Sequence, residues 1–175
     1  MGPPGSGLTH LALSLLATQN DPFAYVDVLG WLCPVAAWEA GIEPERLIVV
    51  RCGEGARWAQ VVGALIDGVP MVYAEVPEGV SDKELYRLSA LARARRTAVL
   101  MRPLQGGLPA GVAFTRIHAR EITWDGIAAG HGQLRARQMT LEVSGKGFPP
   151  GKVELGEDGS LRLVSGLVGS ERATG

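Results

Sequence analysis

A glycine-rich segment near the start of the chain has the residue types and spacing of a phosphate-binding loop. Residues 2–9 fit the pattern G-x-x-x-x-G-K-[ST] at every fixed position except one, where Leu8 stands in place of lysine. In such a loop the backbone N–H groups curl around a phosphate, and a threonine hydroxyl can bind Mg²⁺. The residues expected to form a degenerate nucleotide site are therefore Gly2, Gly5, Ser6, Gly7 and Thr9.

The absence of the lysine limits what this segment can do. The lysine normally reaches the β- and γ-phosphates and supplies positive charge, whereas leucine offers neither a charge nor a hydrogen-bond donor. Two interpretations stay open: residues 2–7 are the remnant of a nucleotide site, or they are a flexible leader rich in glycine and proline.

A working phosphate loop follows a β-strand and opens a helix. The helix is predicted between Thr9 and Thr18, where leucine and alanine dominate. Since the sequence begins at Met1, no strand precedes the loop, and we expect an N-terminally truncated chain or a misassigned start.

Composition favours a single domain in the cytoplasm. The chain has 175 residues, of which 46% are hydrophobic, and a formal net charge of −1, so no overall field draws it to nucleic acid or a membrane. No secretory signal and no bilayer-crossing run are predicted, and Cys33 and Cys52 are expected as free thiols. We expect one domain over residues 1–164 and a flexible tail over 165–175.

The first two-thirds of the chain alternates strand and helix patterns. Pro34 suits a first helical turn, Gly41 ends that helix, and Ser81–Glu84 is a capping box. Such alternation predicts an α/β fold with a mostly parallel sheet. The predicted strands are 23–28, 47–50, 69–76 and 97–101, and the predicted helices between them are 35–40, 56–66 and 82–96.

The last third has a different pattern. Residues 113–122 and 135–144 alternate apolar and polar side chains, which is typical of half-exposed antiparallel strands. Shorter strands are predicted at Lys152–Leu155 and Leu161–Val164.

The order of these elements, together with one segment, resembles RecA recombinases. Residues 27–34 read Asp-Val-Leu-Gly-Trp-Leu-Cys-Pro, and a helix and the strand Leu47–Val50 follow them. In the RecA family the phosphate-loop helix is followed by a strand, Asp-Ala-Glu-His-Ala-Leu-Asp-Pro and a helix. The similarity continues through Val69–Val76 as the Walker B strand and through Arg96–Leu104 as the next strand. It implies a RecA-like P-loop core that lacks the first strand.

The resemblance also implies a role for single residues, and most of the catalytic ones are changed. Thr9 and Asp27 match the family, and Glu75 takes the place of the Walker B aspartate, so it joins the predicted nucleotide site. The water-activating glutamate falls on Leu29, and the Asn-Gln pair that senses the γ-phosphate falls near Arg102-Pro103. We therefore expect no catalytic residues, no enzyme activity and no required cofactor, with ATP and Mg²⁺ bound weakly if they bind.

Two alternatives stay open for these polar residues. Asp27 and Glu75 are also what one expects of side chains that cap the ends of strands. If a nucleotide does bind, backbone amides at the helix N-terminus can hold a phosphate without lysine, and Arg102 is the candidate to supply the charge.

Direct DNA binding is expected to be weak or absent. The two DNA-binding loops of the family would fall at Pro77–Val80, which is one turn long, and at Gln105–Val112, which has neither charge nor aromatic side chain. Single-stranded DNA needs a basic groove and stacking platforms. The arginines lie elsewhere and form either a solvated surface or a secondary surface for nucleic acid or an acidic partner: Arg87, Arg93, Arg95, Arg96, Arg116, Arg120, Arg135 and Arg137.

Aromatic and histidine side chains give no further site. Trp31, Trp38 and Trp58 are predicted to be core residues. The histidines are scattered along the chain, and we predict no metal site from His10, His118 and His131.

RecA-like chains with degraded motifs and short loops resemble the ImuA-type accessory proteins of translesion synthesis. The resemblance implies a non-catalytic adaptor in SOS-induced mutagenic DNA damage tolerance. Its partners would be an error-prone DNA polymerase or a polymerase-like subunit, or RecA itself. The alternatives are a weak nucleotide-binding ATPase of recombination and repair, and an SOS cell-division inhibitor.

Overall fold

The computed structural model describes residues 7–53, 55–128, 131–146, 148–155 and 161–166. The chain divides into two compact units, of which one is Thr9–Ala113 and the other contains Leu8 and the residues from Phe114 onward. The single domain expected over residues 1–164 stays a prediction.

The first unit is a parallel α/β layer structure, as the alternating pattern predicts. Its strands run side by side in the order β2-β1-β3-β4, and every neighbouring pair is parallel. The strands are β1 (Phe23–Asp27), β2 (Leu47–Arg51), β3 (Met71–Val76) and β4 (Ala98–Pro103). The helices are α1 (Leu8–Ala17), α2 (Pro34–Glu39), α3 (Gly55–Gly68) and α4 (Asp82–Arg95), and a 3₁₀ turn, Pro44–Arg46, precedes β2.

The helix ends follow the local signals of the sequence. Pro34 is the first residue of α2, and Gly41, at φ 88°, follows its end. In the predicted capping box, the Ser81 hydroxyl accepts a hydrogen bond from the Glu84 N–H, and the Glu84 carboxylate accepts one from the Ser81 N–H. These bonds to Ser81 lower the pKa of Glu84. No helix in the described part of the chain is both long and apolar enough to cross a membrane.

Two apolar clusters cover the two faces of the parallel sheet. Because side chains alternate along a strand, neighbouring residues of β1 face opposite sides. Phe23 and Tyr25 pack with Leu13 of α1 and Ala37 of α2. The other face packs against α3 and α4 through Val26, Val72, Ala74, Trp58, Val62, Leu85 and Leu88.

The second unit is an antiparallel sheet, which confirms the prediction from the alternating pattern. Its strands are β5 (Thr115–Ala128), β6 (His131–Gly145), β7 (Phe148–Leu155) and β8 (Leu161–Gly166). They lie side by side in the order β5-β6-β7-β8, and each neighbouring pair is antiparallel. Gly145 lies so close to the Phe114 backbone that a Cβ atom at this position would collide with the Phe114 carbonyl. Residues 165 and 166 of the expected tail belong to β8, and the rest of that tail lies outside the described residues.

Candidate functional site

The polar side chains of the parallel unit converge on one face of the sheet, at the carboxyl ends of the strands. Tyr25 and Asp27 share a face of β1, and Tyr73 and Glu75 share the same face of β3. Arg102 lies beside Glu75 because β3 and β4 pair in that register. In parallel α/β sheets this end of the strands is where ligands bind.

Glu75 is fully buried, and both of its carboxylate oxygens accept hydrogen bonds from the protein. Its side chain is 1% exposed. One oxygen accepts the backbone N–H groups of Val28 at 3.0 Å and Leu29 at 3.4 Å. The other accepts the Tyr25 hydroxyl at 3.4 Å and lies 3.5 Å from the Arg102 guanidinium. The carboxylate therefore holds the start of the loop after β1 and offsets the charge of Arg102.

Asp27 holds the remainder of the same loop. Its two oxygens accept the N–H groups of Trp31 at 3.1 Å and Leu32 at 3.3 Å. The Arg51 guanidinium lies 3.9 Å away, and the Arg51 side chain is 74% exposed. A buried carboxylate that satisfies backbone donors in this way is a loop cap. Both acidic residues thus have the contacts of the strand-end capping alternative.

Arg102 joins the acidic side chains to the N-terminus of α1. Its Nη1 atom donates a hydrogen bond to the Thr9 hydroxyl at 2.7 Å and also faces Glu75. The Arg102 side chain is 18% exposed, so its positive charge is largely withdrawn from solvent. The N-terminus of a helix attracts anions, because its first N–H groups have no partner within the helix.

Two tyrosines line the floor of this region. The rings of Tyr25 and Tyr73 stack with their centroids 4.5 Å apart. Burial is the main cause that raises the pKa of both hydroxyls. The Tyr73 oxygen is buried beside the Arg102 and Thr9 side chains, which act against the effect of burial on its pKa.

The structure describes only part of the predicted nucleotide site. Gly2, Gly5 and Ser6 lie outside the described residues. Gly7 has a φ of 73° and directly precedes α1, whose second residue is Thr9. Thr9 and Glu75 are brought together through Arg102, which contacts both side chains. The proposed role of these residues in nucleotide binding stays a prediction.

The side chains at the N-terminus of α1 fit an anion better than a metal ion. Both Glu75 oxygens and the Thr9 hydroxyl already accept hydrogen bonds, and the nearby Arg102 is positively charged. Within the part of the chain that the structure describes, no group of three or more histidine, cysteine, aspartate or glutamate residues is placed to hold a metal ion. An α1 N-terminus with a guanidinium beside it suits a phosphate group.

An exposed apolar surface, which we call the α2 surface, lies next to the loop that Asp27 and Glu75 hold. It consists of Leu29, Trp31, Val35 and Trp38, with exposed fractions of 42%, 63%, 49% and 49%. The prediction that Trp31 and Trp38 are core residues is therefore wrong, whereas Trp58 is fully buried as predicted. The short helix α2 buries Ala37, so Val35 and Trp38 on its outer side stay in solvent.

Several of the arginines proposed for a binding surface are engaged within the chain. Arg95 forms an ion pair with Asp67 at 2.6 Å, and Arg120 pairs with Glu142. Arg93 donates a hydrogen bond to Ser89 at 2.9 Å. These contacts agree with a solvated surface whose charges are balanced within the chain.

The sequence-based selection of site residues did not include Tyr25 and Tyr73. A signal for them was present, because each tyrosine lies two positions before an acidic residue within a predicted strand. A spacing of two places both side chains on one face. The same signal appears twice, in Tyr25/Asp27 and Tyr73/Glu75, and it marks the polar face of the sheet.

The comparisons with known proteins concern mainly the parallel unit. No curated protein matches the chain. A family described as the MT3502 N-terminal domain matches residues 5–106, a segment that includes every strand of the parallel sheet and ends just after β4. The matched segment covers more than half of the sequence, and the chain is thus a member of the MT3502 N-terminal domain family.

Proposed function

We propose that this protein is a non-catalytic accessory protein with a RecA-like core, which acts through protein–protein contacts in SOS-induced mutagenic damage tolerance. The observation that carries the proposal is the use of Glu75 as an internal hydrogen-bond acceptor beside an exposed apolar surface. The acidic residue at the Walker B position stabilises the loop next to the α2 surface.

Support for the RecA-like core comes from the arrangement of α1 and the sheet. Through Thr9, the N-terminus of α1 contacts Arg102 at the carboxyl end of β4. A helix that opens from a phosphate loop starts at this end of a parallel sheet. The parallel order β2-β1-β3-β4 is compatible with such a core.

The residues at the catalytic positions support a non-catalytic role. Phosphoryl transfer needs charge stabilisation of the phosphates and a group that orients the attacking water. Leu8 supplies no charge, and Leu29, at the position of the general base, is an exposed apolar residue. Neither side chain can accept a proton or donate a hydrogen bond.

The α2 surface supports a role in binding proteins. It exposes two tryptophans, Trp31 and Trp38, and tryptophan is enriched at the centre of protein interfaces, where it buries a large apolar area. The proposed partner is an error-prone DNA polymerase or a polymerase-like subunit, with RecA itself as a second candidate. An SOS cell-division inhibitor would use the same kind of surface toward a different partner.

The test combines hydrolysis and partner binding. We expect no ATP hydrolysis by the wild-type protein, and we expect Trp38→Ala to weaken binding to the polymerase subunit about 30-fold or more, as at an interface hot spot. Binding is measured by titration of the purified partner. Trp124→Ala, which removes a tryptophan of similar exposure from the antiparallel sheet, is the matched control and should leave binding unchanged. ATP hydrolysis that Thr9→Ala abolishes would contradict the proposal.

A second candidate function, weak nucleotide binding, is favoured by the hydrogen bond between Arg102 and Thr9. Arg102 brings a guanidinium to the N-terminus of α1, which lacks the lysine, and Glu75 beside it offsets part of that charge. A nucleotide at about 100 times its dissociation constant stabilises a protein by about 2.7 kcal/mol, which thermal unfolding detects.

For this candidate we expect ATP to raise the unfolding temperature of the wild-type protein, Arg102→Ala to remove that rise and Leu8→Lys to increase it. Arg87→Ala, which removes an exposed arginine from α4, is the control. If wild type is not stabilised while Leu8→Lys is, the loop is a decayed phosphate site. In that case Arg102 does not replace the lysine.

A further inference from the structure

Within the part of the chain that the structure describes, no strand covers the outer edge of β2, which carries apolar side chains on both faces of the sheet. In the described residues β2 pairs with β1 alone. Ile48 and Val49 are each 42% exposed. The strand Leu47–Arg51 contains no proline and no lysine, and its register with β1 has no bulge. Natural sheets normally carry a proline, a lysine or a bulge on an exposed edge strand, and these features prevent pairing with another chain.

The backbone groups that β2 offers to a further strand can be assigned. The Cys52 N–H donates to the Asp27 carbonyl at 3.3 Å, so residues of even number direct their backbone groups toward β1. The N–H and C=O groups of Leu47, Val49 and Arg51 therefore point outward. The Leu47 N–H already donates to the Pro44 carbonyl. Among the described residues, the groups left for a further strand are therefore the Leu47 carbonyl and the N–H and C=O groups of Val49 and Arg51.

We propose that β2 pairs antiparallel with β2 of a second copy of this chain, about a twofold axis that passes through Val49. The Val49 residues of the two copies then exchange both backbone hydrogen bonds, and Leu47 of each copy faces Arg51 of the other. The axis closes the assembly as a dimer whose two parallel sheets form one continuous sheet.

The charges around β2 favour this antiparallel arrangement. Glu43 and Glu45 precede the strand and Arg51 ends it, so each strand has an acidic and a basic end. Arg46 also precedes β2, but its guanidinium is hydrogen-bonded to the carbonyl groups of Gln19 and Asp21. Antiparallel pairing places the acidic end of one strand beside the basic end of the other. Parallel pairing would place like charges together and would not close.

The apolar area around β2 extends beyond the strand itself. A stable interface buries about 800 Å² on each partner, which is more than one five-residue strand can supply. Leu47 packs against the cluster that contains Ala37 of α2, so Val49 and α2 lie on the same face of the sheet. A twofold axis perpendicular to the sheet keeps this face continuous, so the α2 helices of both copies, each with an exposed Trp38, lie on one face of the dimer.

The experiment measures the mass of the full chain in solution by sedimentation equilibrium. We expect wild type to be a dimer at micromolar concentration, and we expect Val49→Lys and Val49→Glu to be monomers, because each places like charges directly opposite at the axis. An equimolar mixture of the two variants should recover the dimer mass, since lysine then faces glutamate. Recovery of the dimer mass in the mixture would show that each variant is folded and that the variants alone had lost only the pairing of β2.

The control is Ala64→Lys, which adds the same charge to an exposed position of α3 and should leave the dimer mass unchanged. A wild-type monomer would overturn the inference. It would also be overturned if the edge of β2 paired with a strand of another protein and this chain alone stayed monomeric. Dimers or larger species that persist in Val49→Lys would also overturn it, because they would have to use another surface.

Discussion

Replacing Glu75 by alanine is expected to destabilise the protein by about 3–5 kcal/mol, because removal of one member of a buried charged pair leaves the other uncompensated. The Arg102 guanidinium would lose its nearby carboxylate. The N–H groups of Val28 and Leu29 and the hydroxyl of Tyr25 would lose an acceptor at the same time. Equilibrium unfolding in urea measures the loss of stability.

Two further variants separate the contributions to this effect. Glu75→Gln keeps an acceptor oxygen and removes the charge, so we expect a smaller loss, of about 1–3 kcal/mol. Glu78→Ala removes an exposed carboxylate from the turn after β3 and should change stability by less than about 0.5 kcal/mol. If Glu75→Ala were as stable as Glu78→Ala, Glu75 would not hold the loop, and the proposed function would lose the observation that carries it.

Replacing Trp58 by alanine is expected to cost about 3–5 kcal/mol, as for other large aromatic residues removed from a core. Trp58 is 0% exposed and packs in the cluster formed by α3, α4 and the sheet, together with Val62, Ile66 and Leu88. Its removal would leave a cavity that the rigid sheet cannot fill. Thermal and urea unfolding measure the loss.

Trp38→Ala is the matched control, since this tryptophan is 49% exposed and its loss should change stability by less than about 0.5 kcal/mol. Trp58→Phe should cost roughly half as much as Trp58→Ala, because the ring volume is mostly kept. The indole N–H that it removes has no hydrogen-bond partner in the described residues, so no acceptor is left unsatisfied. Equal losses for Trp58→Ala and Trp38→Ala would contradict the assignment of the core.

These two predictions bear on different parts of the proposed function. Trp58 tests the packing that supports the sheet, whereas Glu75 tests the support of the loop between β1 and α2. If Glu75→Gln weakens partner binding at a temperature where it is fully folded, the loop conformation contributes to the α2 surface. A variant that binds as wild type shows that the exposed side chains alone determine binding.

The fold class of this chain was largely predictable from the sequence, because its signals are local. The capping box at Ser81–Glu84, the proline that opens α2 and the glycine that ends it each act within a few residues. The four strands of the parallel sheet were predicted to within about two residues, since hydrophobic period and turn residues are read directly from the chain. The strands β5, β6 and β7 extend four to six residues beyond their predicted bounds. Alternation predicted that residues 113–122 and 135–144 are antiparallel strands, and in the structure β5 and β6 pair in this way.

Contacts between distant residues were decided by the tertiary structure. Tyr25 and Glu75 are 50 positions apart, and only the pairing of β1 with β3 places them together. The contact between Thr9 and Arg102 spans 93 positions and depends on how α1 lies against β4. Arg102 was predicted as a substitute for the lysine because it is a positively charged residue. Its hydrogen bond to Thr9 and its proximity to Glu75 could not be predicted from the sequence positions of these residues.

The exposure of the tryptophans shows the same division. The sequence by itself determined that Trp38 and Trp58 belong to helical segments, because composition and period are local properties. The prediction that Trp31 also lies on a helix face is wrong, since it precedes α2 in the loop after β1. Only the tertiary structure decided that Trp58 is buried and that Trp31 and Trp38 face solvent. The physical reason is that burial depends on which elements pack against a side chain. α3 packs with α4 on the sheet, whereas Val35 and Trp38 on the outer side of α2 stay about half exposed among the described residues.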